Sequence, residues 1–160
     1  MQGATRGTTG GAGRGAGGEA GAGEGGGRDA FRWPVRVYYE DTDSGGVVYY
    51  ANYLRFLERA RTEWLRALGL EQRALAAEQG VLFAVRRVAV DFLRPARLDD
   101  RLEVTAELTR RGRASLELAQ EVLRPPEEAP LCRAQVQVAC LDAGSLRPRP
   151  LPAALLERLA

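Results

Sequence analysis

Hydrophobic and polar positions follow two different periods along this chain, with the change near Asn52. Trp33 to Tyr39 alternates, with Pro34 at its start and Val35, Val37 and Tyr39 on one face, which predicts a strand. From Asn52 the period becomes helical: Tyr53, Phe56, Leu57, Ala60, Trp64, Ala67 and Leu68 share one stripe. Arg55, Glu58, Arg59, Arg61, Glu63 and Arg66 occupy the opposite side, which predicts a solvated face laced by i,i+3 and i,i+4 ion pairs. Gly69 suits the left-handed position that closes such a helix. A second, shorter helix is predicted from Glu71 to Gln79, stopped by Gly80.

Beyond Gly80 the period is two. Val81 to Arg94 reads as a strand. Leu102, Val104, Ala106 and Leu108 then alternate with Arg101, Glu103, Thr105 and Glu107, and the pattern returns at Leu116, Leu118 and Val122 and at Ala134, Val136 and Val138. Arg111-Gly112 and Pro125-Pro126-Glu127-Glu128 supply turns. A strand, a long one-sided helix and four antiparallel strands predict an α+β domain over residues 31–160, with one antiparallel sheet wrapped around one central helix. A single sheet around one helix leaves an open face and bare edges, which predicts a homo-oligomer.

Residues 1–30 are Gly-rich, with no aromatic residue and little to bury. They predict a disordered tail. No apolar run approaches the roughly 20 residues that a spanning helix needs, and the first thirty residues have no secretory apolar core, so a cytoplasmic protein without an integral membrane segment is expected. A formal net charge of +2 gives no reason to expect nucleic acid as a partner.

The composition restricts the chemistry sharply. The chain has no histidine and no lysine, so every side-chain cation is an arginine. Ser-His-Asp triads, Cys-His dyads, Schiff-base lysines and imidazole-bound zinc are all excluded, and neither metal nor organic cofactor is expected. Cys132 and Cys140 share a parity on one strand about 26 Å apart, too far for a disulfide, and predict small buried thiols.

The candidate chemistry lies between the first strand and the long helix, in Tyr39-Glu40-Asp41-Thr42-Asp43-Ser44-Gly45-Gly46-Val47-Val48-Tyr49-Tyr50-Ala51-Asn52. The glycine pair permits a tight turn and the close approach of another molecule to the backbone. The helix start offers unpaired N–H groups and a positive dipole end. Asp43 sits just before that turn and, as an aspartate ordinarily ionised at neutral pH, can attack a carbonyl or activate water. It can equally do no more than cap a turn, a role open to both Asp41 and Asp43.

The stretch YYEDTDSGGVVYYANYLRFLERARTEWLR closely resembles the signature of the hotdog-fold thioesterases, in particular the 4-hydroxybenzoyl-CoA thioesterases and the Tol-Pal-associated acyl-CoA thioesterases. The resemblance runs from about Trp33 to Pro152. It includes VDFLRPARLDD at Val90 to Asp100, RASL at Arg113 to Leu116 and the tail Arg147-Pro148-Arg149-Pro150-Leu151-Pro152.

This resemblance implies a hotdog fold and hydrolysis of an acyl-CoA to a carboxylate and a free thiol, with a homodimer or homotetramer whose sites lie at subunit boundaries. It implies that Asp43 is the catalytic nucleophile or general base, and that Tyr39 supports it. It also implies that backbone N–H groups near Tyr50 polarise the thioester carbonyl, beside Gly46 and Val47 in the substrate loop. Arg110, Arg111 and Arg113 are the candidate contacts for coenzyme A phosphates, a task suited to guanidinium forks. Tol-Pal-associated enzymes usually carry histidine at the position of Tyr50. A phenol donates a hydrogen bond but is no neutral-pH base, so Tyr50 is expected to orient substrate. Acyl carrier protein is an alternative thiol carrier. The competing reading is a non-catalytic module of cell-envelope lipid metabolism that binds acyl thioesters or acyl carrier protein.

Overall fold

The computed structural model describes residues 30–160, so the expectation for the glycine-rich tail lies outside the described residues. Its elements are β1 (Phe31–Arg36), a 3-10 turn (Tyr39–Asp41), α1 (Tyr50–Ala67), α2 (Gln72–Gln79), β2 (Val81–Phe92), β3 (Arg101–Arg111), β4 (Ser115–Leu123), β5 (Cys132–Asp142) and α3 (Ala153–Arg158). The five strands form one antiparallel sheet in the order β1-β3-β4-β5-β2. The sheet curls around α1, which packs chiefly on β3 and β1, while α2 covers part of β2. This is the predicted helix-wrapping α+β architecture. Among the described residues no helix is long and apolar enough to cross a membrane.

The helical stripe puts Tyr53, Phe56, Leu57 and Ala60 in the core. Phe56 and Leu57 are wholly buried, each contributing about 1.5–3 kcal/mol by leaving water. Ala67 departs from the expected stripe and is exposed; Leu65 is buried in its stead, with Trp64 and Leu68 packed against the core edge. Gly69 at φ 79° ends the helix as predicted: its N–H bonds Arg66 O, and Leu70 N–H bonds Leu65 O. The pair of bonds satisfies carbonyls that the last turn would otherwise leave free.

Tyr39 does not continue the first strand as expected. Val35 and Val37 do point inward, and Val37 still exchanges backbone bonds with Asp99 and Asp100. The Asp41 carboxylate then accepts the Tyr38 N–H at 2.8 Å, and the chain bends into the 3-10 turn. Alternation is lost there, and Tyr39 is left 83% exposed.

The supposedly solvated arginine face also needs a correction, at Arg61. Gln120, buried in β4, donates its amide to Leu57 O of α1 and Thr105 O of β3, and its carbonyl accepts a 2.9 Å bond from Arg61 Nη1. The β3–β4 pairing skips these positions, where Glu121 N–H bonds the Thr105 hydroxyl instead. A polar network therefore fastens the middle of α1 to the sheet, and Arg61 is drawn inward to complete it. Burial holds its guanidinium below the ordinary arginine pKa, against the opposing pull of the Glu58 charge. Of the expected pairs along α1, Arg66 with Glu63 forms at 2.6 Å.

β2 carries a bulge between Val85 and Arg87. Before it Phe83 and Val85 pair with Cys140 and Val138; after it Val88, Val90 and Phe92 pair with Val136, Ala134 and Cys132. Paired residues share a face and these partners are buried, so the bulge keeps one apolar row on the concave side through a change of parity. Cover runs short along that row, because Val85, Val88 and Phe92 stay exposed. Both cysteines are free and buried, as their parity predicts, and burial pushes the Cys132 thiol up to about 11, with the Asp91 charge adding to it.

Candidate active site

The segment from Tyr38 to Tyr50 is held at both ends and open in the middle. Asp41 is its anchor: the carboxylate takes the Tyr38 N–H, while its carbonyl oxygen accepts Tyr49 N–H at 2.9 Å and the Asn52 side-chain amide at 2.9 Å. Val48 N–H bonds Ala96 O, and Ala96 N–H bonds the Tyr53 hydroxyl, so α1 holds the neighbouring 95–97 segment as well. Burial raises the Tyr53 phenol above its ordinary pKa, partly offset by that Ala96 bond, and keeps it a neutral partner.

Between these anchors the chain turns back on itself. Asp43 N–H bonds Val47 O, and Gly46 N–H bonds Asp43 O. Gly46 lies at φ 74°, a conformation that costs other residues roughly 1–2 kcal/mol, and a Cβ there would meet only open space. The Asp43 carboxylate is exposed. Its Oδ1 accepts the Gly45 N–H at 2.8 Å, and no described residue donates to its Oδ2. Thus Asp41 is committed on both its carboxylate and its carbonyl, whereas Asp43 braces its turn with one oxygen and exposes the other.

α1 begins at Tyr50, two residues earlier than the periodicity indicates, because Tyr49 N–H is already tied to Asp41 O and Asn52 N–H to Tyr49 O. Among the described residues no acceptor takes the N–H of Tyr50 or Ala51. These are orphan donors at the positive end of an 18-residue helix. The Tyr50 ring is exposed and stands 4.9 Å from the Tyr49 ring and 6.1 Å from Phe92, which also meets Tyr53 at 5.5 Å. The Tyr49 phenol is held above its ordinary pKa by the neighbouring Tyr50 hydroxyl. Tyr39 is on the same loop with its ring in solvent.

The predicted loop residues Tyr39, Asp43, Gly46, Val47 and Tyr50 therefore come together at one end of the sheet. Val47 bridges to Arg97, and Val37 to Asp100, where β3 is about to begin. Arg110, Arg111 and Arg113 do not join them. They are exposed at the far end of β3, about 33 Å away along the strand, with Arg110 3.5 Å from Glu117. Periodicity did not reveal Asn52 and Tyr53 as polar braces of the loop, since both simply begin an apolar helix stripe. The only cue is a hydrogen-bonding group on an inward position.

Comparison with known proteins gives a consistent result. The model of the thioesterase-like superfamily matches residues 37–159. The acyl-CoA thioester hydrolase YbgC of Escherichia coli is 50% identical over 126 residues, covering 79% of this chain and 92% of the relative. The acyl-CoA thioesterase YbgC of Haemophilus influenzae is 46% identical, covering 78% and 90%. Among solved structures, a probable thioesterase from Bartonella henselae is similar with a TM-score of 0.73 at 36% identity, covering 77% of this chain and 99% of its own.

Proposed function

The chain belongs to the thioesterase-like superfamily and is an acyl-CoA thioester hydrolase, and we propose that Asp43 carries its reaction from the loop that precedes α1. The observation behind this reading is the Asp43 carboxylate, fixed through Oδ1 and free at Oδ2, on a loop tied directly to a helix start with two orphan N–H groups. The thioester carbonyl oxygen accepts those N–H donors. Oδ2 then attacks the carbonyl carbon, or takes a proton from a water that does so. The C–S bond breaks, the thiolate leaves and is protonated, and water supplies the oxygen of the product acid. Donors fixed where negative charge develops commonly lower such a barrier by about 3–4 kcal/mol. Tyr50 orients the acyl group with its ring, and Tyr39 supports the loop from its solvent side. Gly46 and Val47 let the thioester approach the backbone.

A homo-oligomer is part of the same reading. β2 is an uncovered sheet edge twelve residues long, and its concave apolar row is partly exposed. Two copies pairing β2 antiparallel about a two-fold axis near the bulge would set the Val81 end of one strand against the Phe92 end of the other. Asp43 and Tyr50 lie toward the Phe92 end, while Arg110, Arg111 and Arg113 lie toward the Val81 end. In the pair, the arginines of one copy can meet coenzyme A phosphates held over the Asp43 loop of the other, which a single chain cannot achieve.

The test is thiol release from short-chain, long-chain and aromatic acyl esters of coenzyme A and of acyl carrier protein, comparing the wild type with Asp43→Asn. Release by the wild type and its near-complete loss in the variant are expected. A fully active variant removes Asp43 from the mechanism, and thioester binding without any thiol release by the wild type makes the protein a binding module instead.

A further inference from the structure

Between α1, α2 and the concave face of the sheet lies a cavity of about 130 Å³, room for about four water-sized groups, at the end of β2 opposite the Asp43 loop. Its walls are mostly apolar, among them Leu65, Phe83, Leu116, Leu118 and Val138. Arg61, Thr62 and Glu58 of α1 supply its polar side. Glu58 is occupied at the rim, its Oε1 accepting the Thr62 hydroxyl at 2.7 Å, and the same hydroxyl accepts the Gln72 amide at 3.0 Å. Arg61 gives one hydrogen bond, to the neutral Gln120 carbonyl, and among the described residues no carboxylate lies within ion-pair distance of it. A half-buried guanidinium with one hydrogen bond among the described residues, in a mostly apolar cavity whose own carboxylate, Glu58, is engaged by Thr62, has donors left for an anion.

We propose that this cavity receives the acyl group and that Arg61 selects short acyl chains that end in a carboxylate, with glutaryl as the probe. The proposal rests on the thioester-hydrolase reading with paired β2 edges: in that pair, the Val81 end of β2, where Phe83 and Val85 line the cavity, faces the Asp43 loop of the second copy. The apolar walls take the methylenes, and the planar fork of Arg61 takes the distal carboxylate. Arg61 is already aimed by Gln120, which is itself fixed by Leu57 O and Thr105 O, so little side-chain freedom is lost on binding. The lowered pKa of Arg61, caused by burial, fits a cation short of solvation.

The experiment compares kcat/KM for glutaryl-CoA and pentanoyl-CoA, equal in carbon count and differing in the terminal group, in the wild type, Arg61→Met and Arg61→Lys. The wild type should prefer glutaryl-CoA, and Arg61→Met should lower the glutaryl-to-pentanoyl ratio by about 10- to 100-fold, the value of a charge-assisted hydrogen bond. Arg61→Lys keeps the charge but not the fork and should fall between them; it also carries the comparison if Arg61→Met does not fold. A wild type that prefers pentanoyl-CoA, or a ratio untouched by both substitutions, overturns the role of Arg61. Silence of the wild type on both esters would instead strike the underlying thioesterase reading, and full activity of Asp43→Asn would strike only the role of Asp43.

Discussion

Asp41 and Asp43 are separated by one residue and face opposite physical demands. Asp41 is 6% exposed, and both its carboxylate and its carbonyl are committed to the backbone and to Asn52. Asp43 stands in solvent on a turn closed by Gly46, with one carboxylate oxygen unclaimed. The first half of the loop is thus a clamp, and the second half holds out an exposed carboxylate. A carboxylate can have a fixed position without being buried, provided that its neighbours spend their hydrogen bonds holding the chain on either side.

The sharpest way to break this contrast is Asp43→Asn. It should lower kcat/KM on a responsive acyl-CoA by about 10²- to 10⁴-fold, as expected for loss of a positioned nucleophile or base, while the thermal midpoint barely moves. Asp41→Ala should do the reverse, costing about 1–3 kcal/mol in urea unfolding because the Tyr38 N–H loses its acceptor. Its folded fraction should stay active, and a silent but stable Asp41→Ala would move Asp41 into the catalytic half.

Gly46→Ala has a smaller predicted cost, about 1–2 kcal/mol, and the origin is its positive φ alone, since the added methyl meets nothing. A matching loss of activity without loss of stability would show that the turn rearranges rather than strains. The smallest effect near neutral pH belongs to a buried titrating group, Cys132. Its thiol stays neutral up to about 11 in the fold but ionises near its ordinary value once unfolded. A raised folded pKa contributes stability fully below the unfolded value and loses it as pH rises. Stability should therefore decline between about pH 9 and 11, and Cys132→Ala should flatten that decline in a pH series of unfolding curves.

Much of the architecture was legible in the residues. The 3.6-residue stripe from Tyr53 to Leu68, the closing glycines at 69 and 80, and the alternation of β3, β4 and β5 each follow from local rules that the fold obeys. Tyr39 was misplaced because alternation assumes that a strand continues, whereas a single carboxylate bond from Asp41 ends it. Arg61 was misplaced because helical position alone marks it as solvated, while a buried glutamine 59 residues away draws it inward. The loop motif was legible from its residues as possible acyl-transfer chemistry or as simple capping, and its resemblance to a known family favoured the first. By position Asp43, just before the glycine turn, was the candidate, but spacing alone left capping open to it as to Asp41.

The sequence by itself determined the inventory and the periods: no imidazole, no ammonium side chain, a long amphipathic helix followed by a short one, one antiparallel sheet, and a glycine pair between acid and helix. These are properties of composition and of nearest neighbours, set by steric and hydrophobic rules that act over a few residues. Only the tertiary structure decided which aspartate is clamped and which is free. It also separated the arginine cluster from the Asp43 loop within one chain and left Arg61 beside a mostly apolar cavity with no ion-pair partner among the described residues. Those outcomes depend on hydrogen-bond partners and exposed edges brought together from distant parts of the chain, and no local period encodes them.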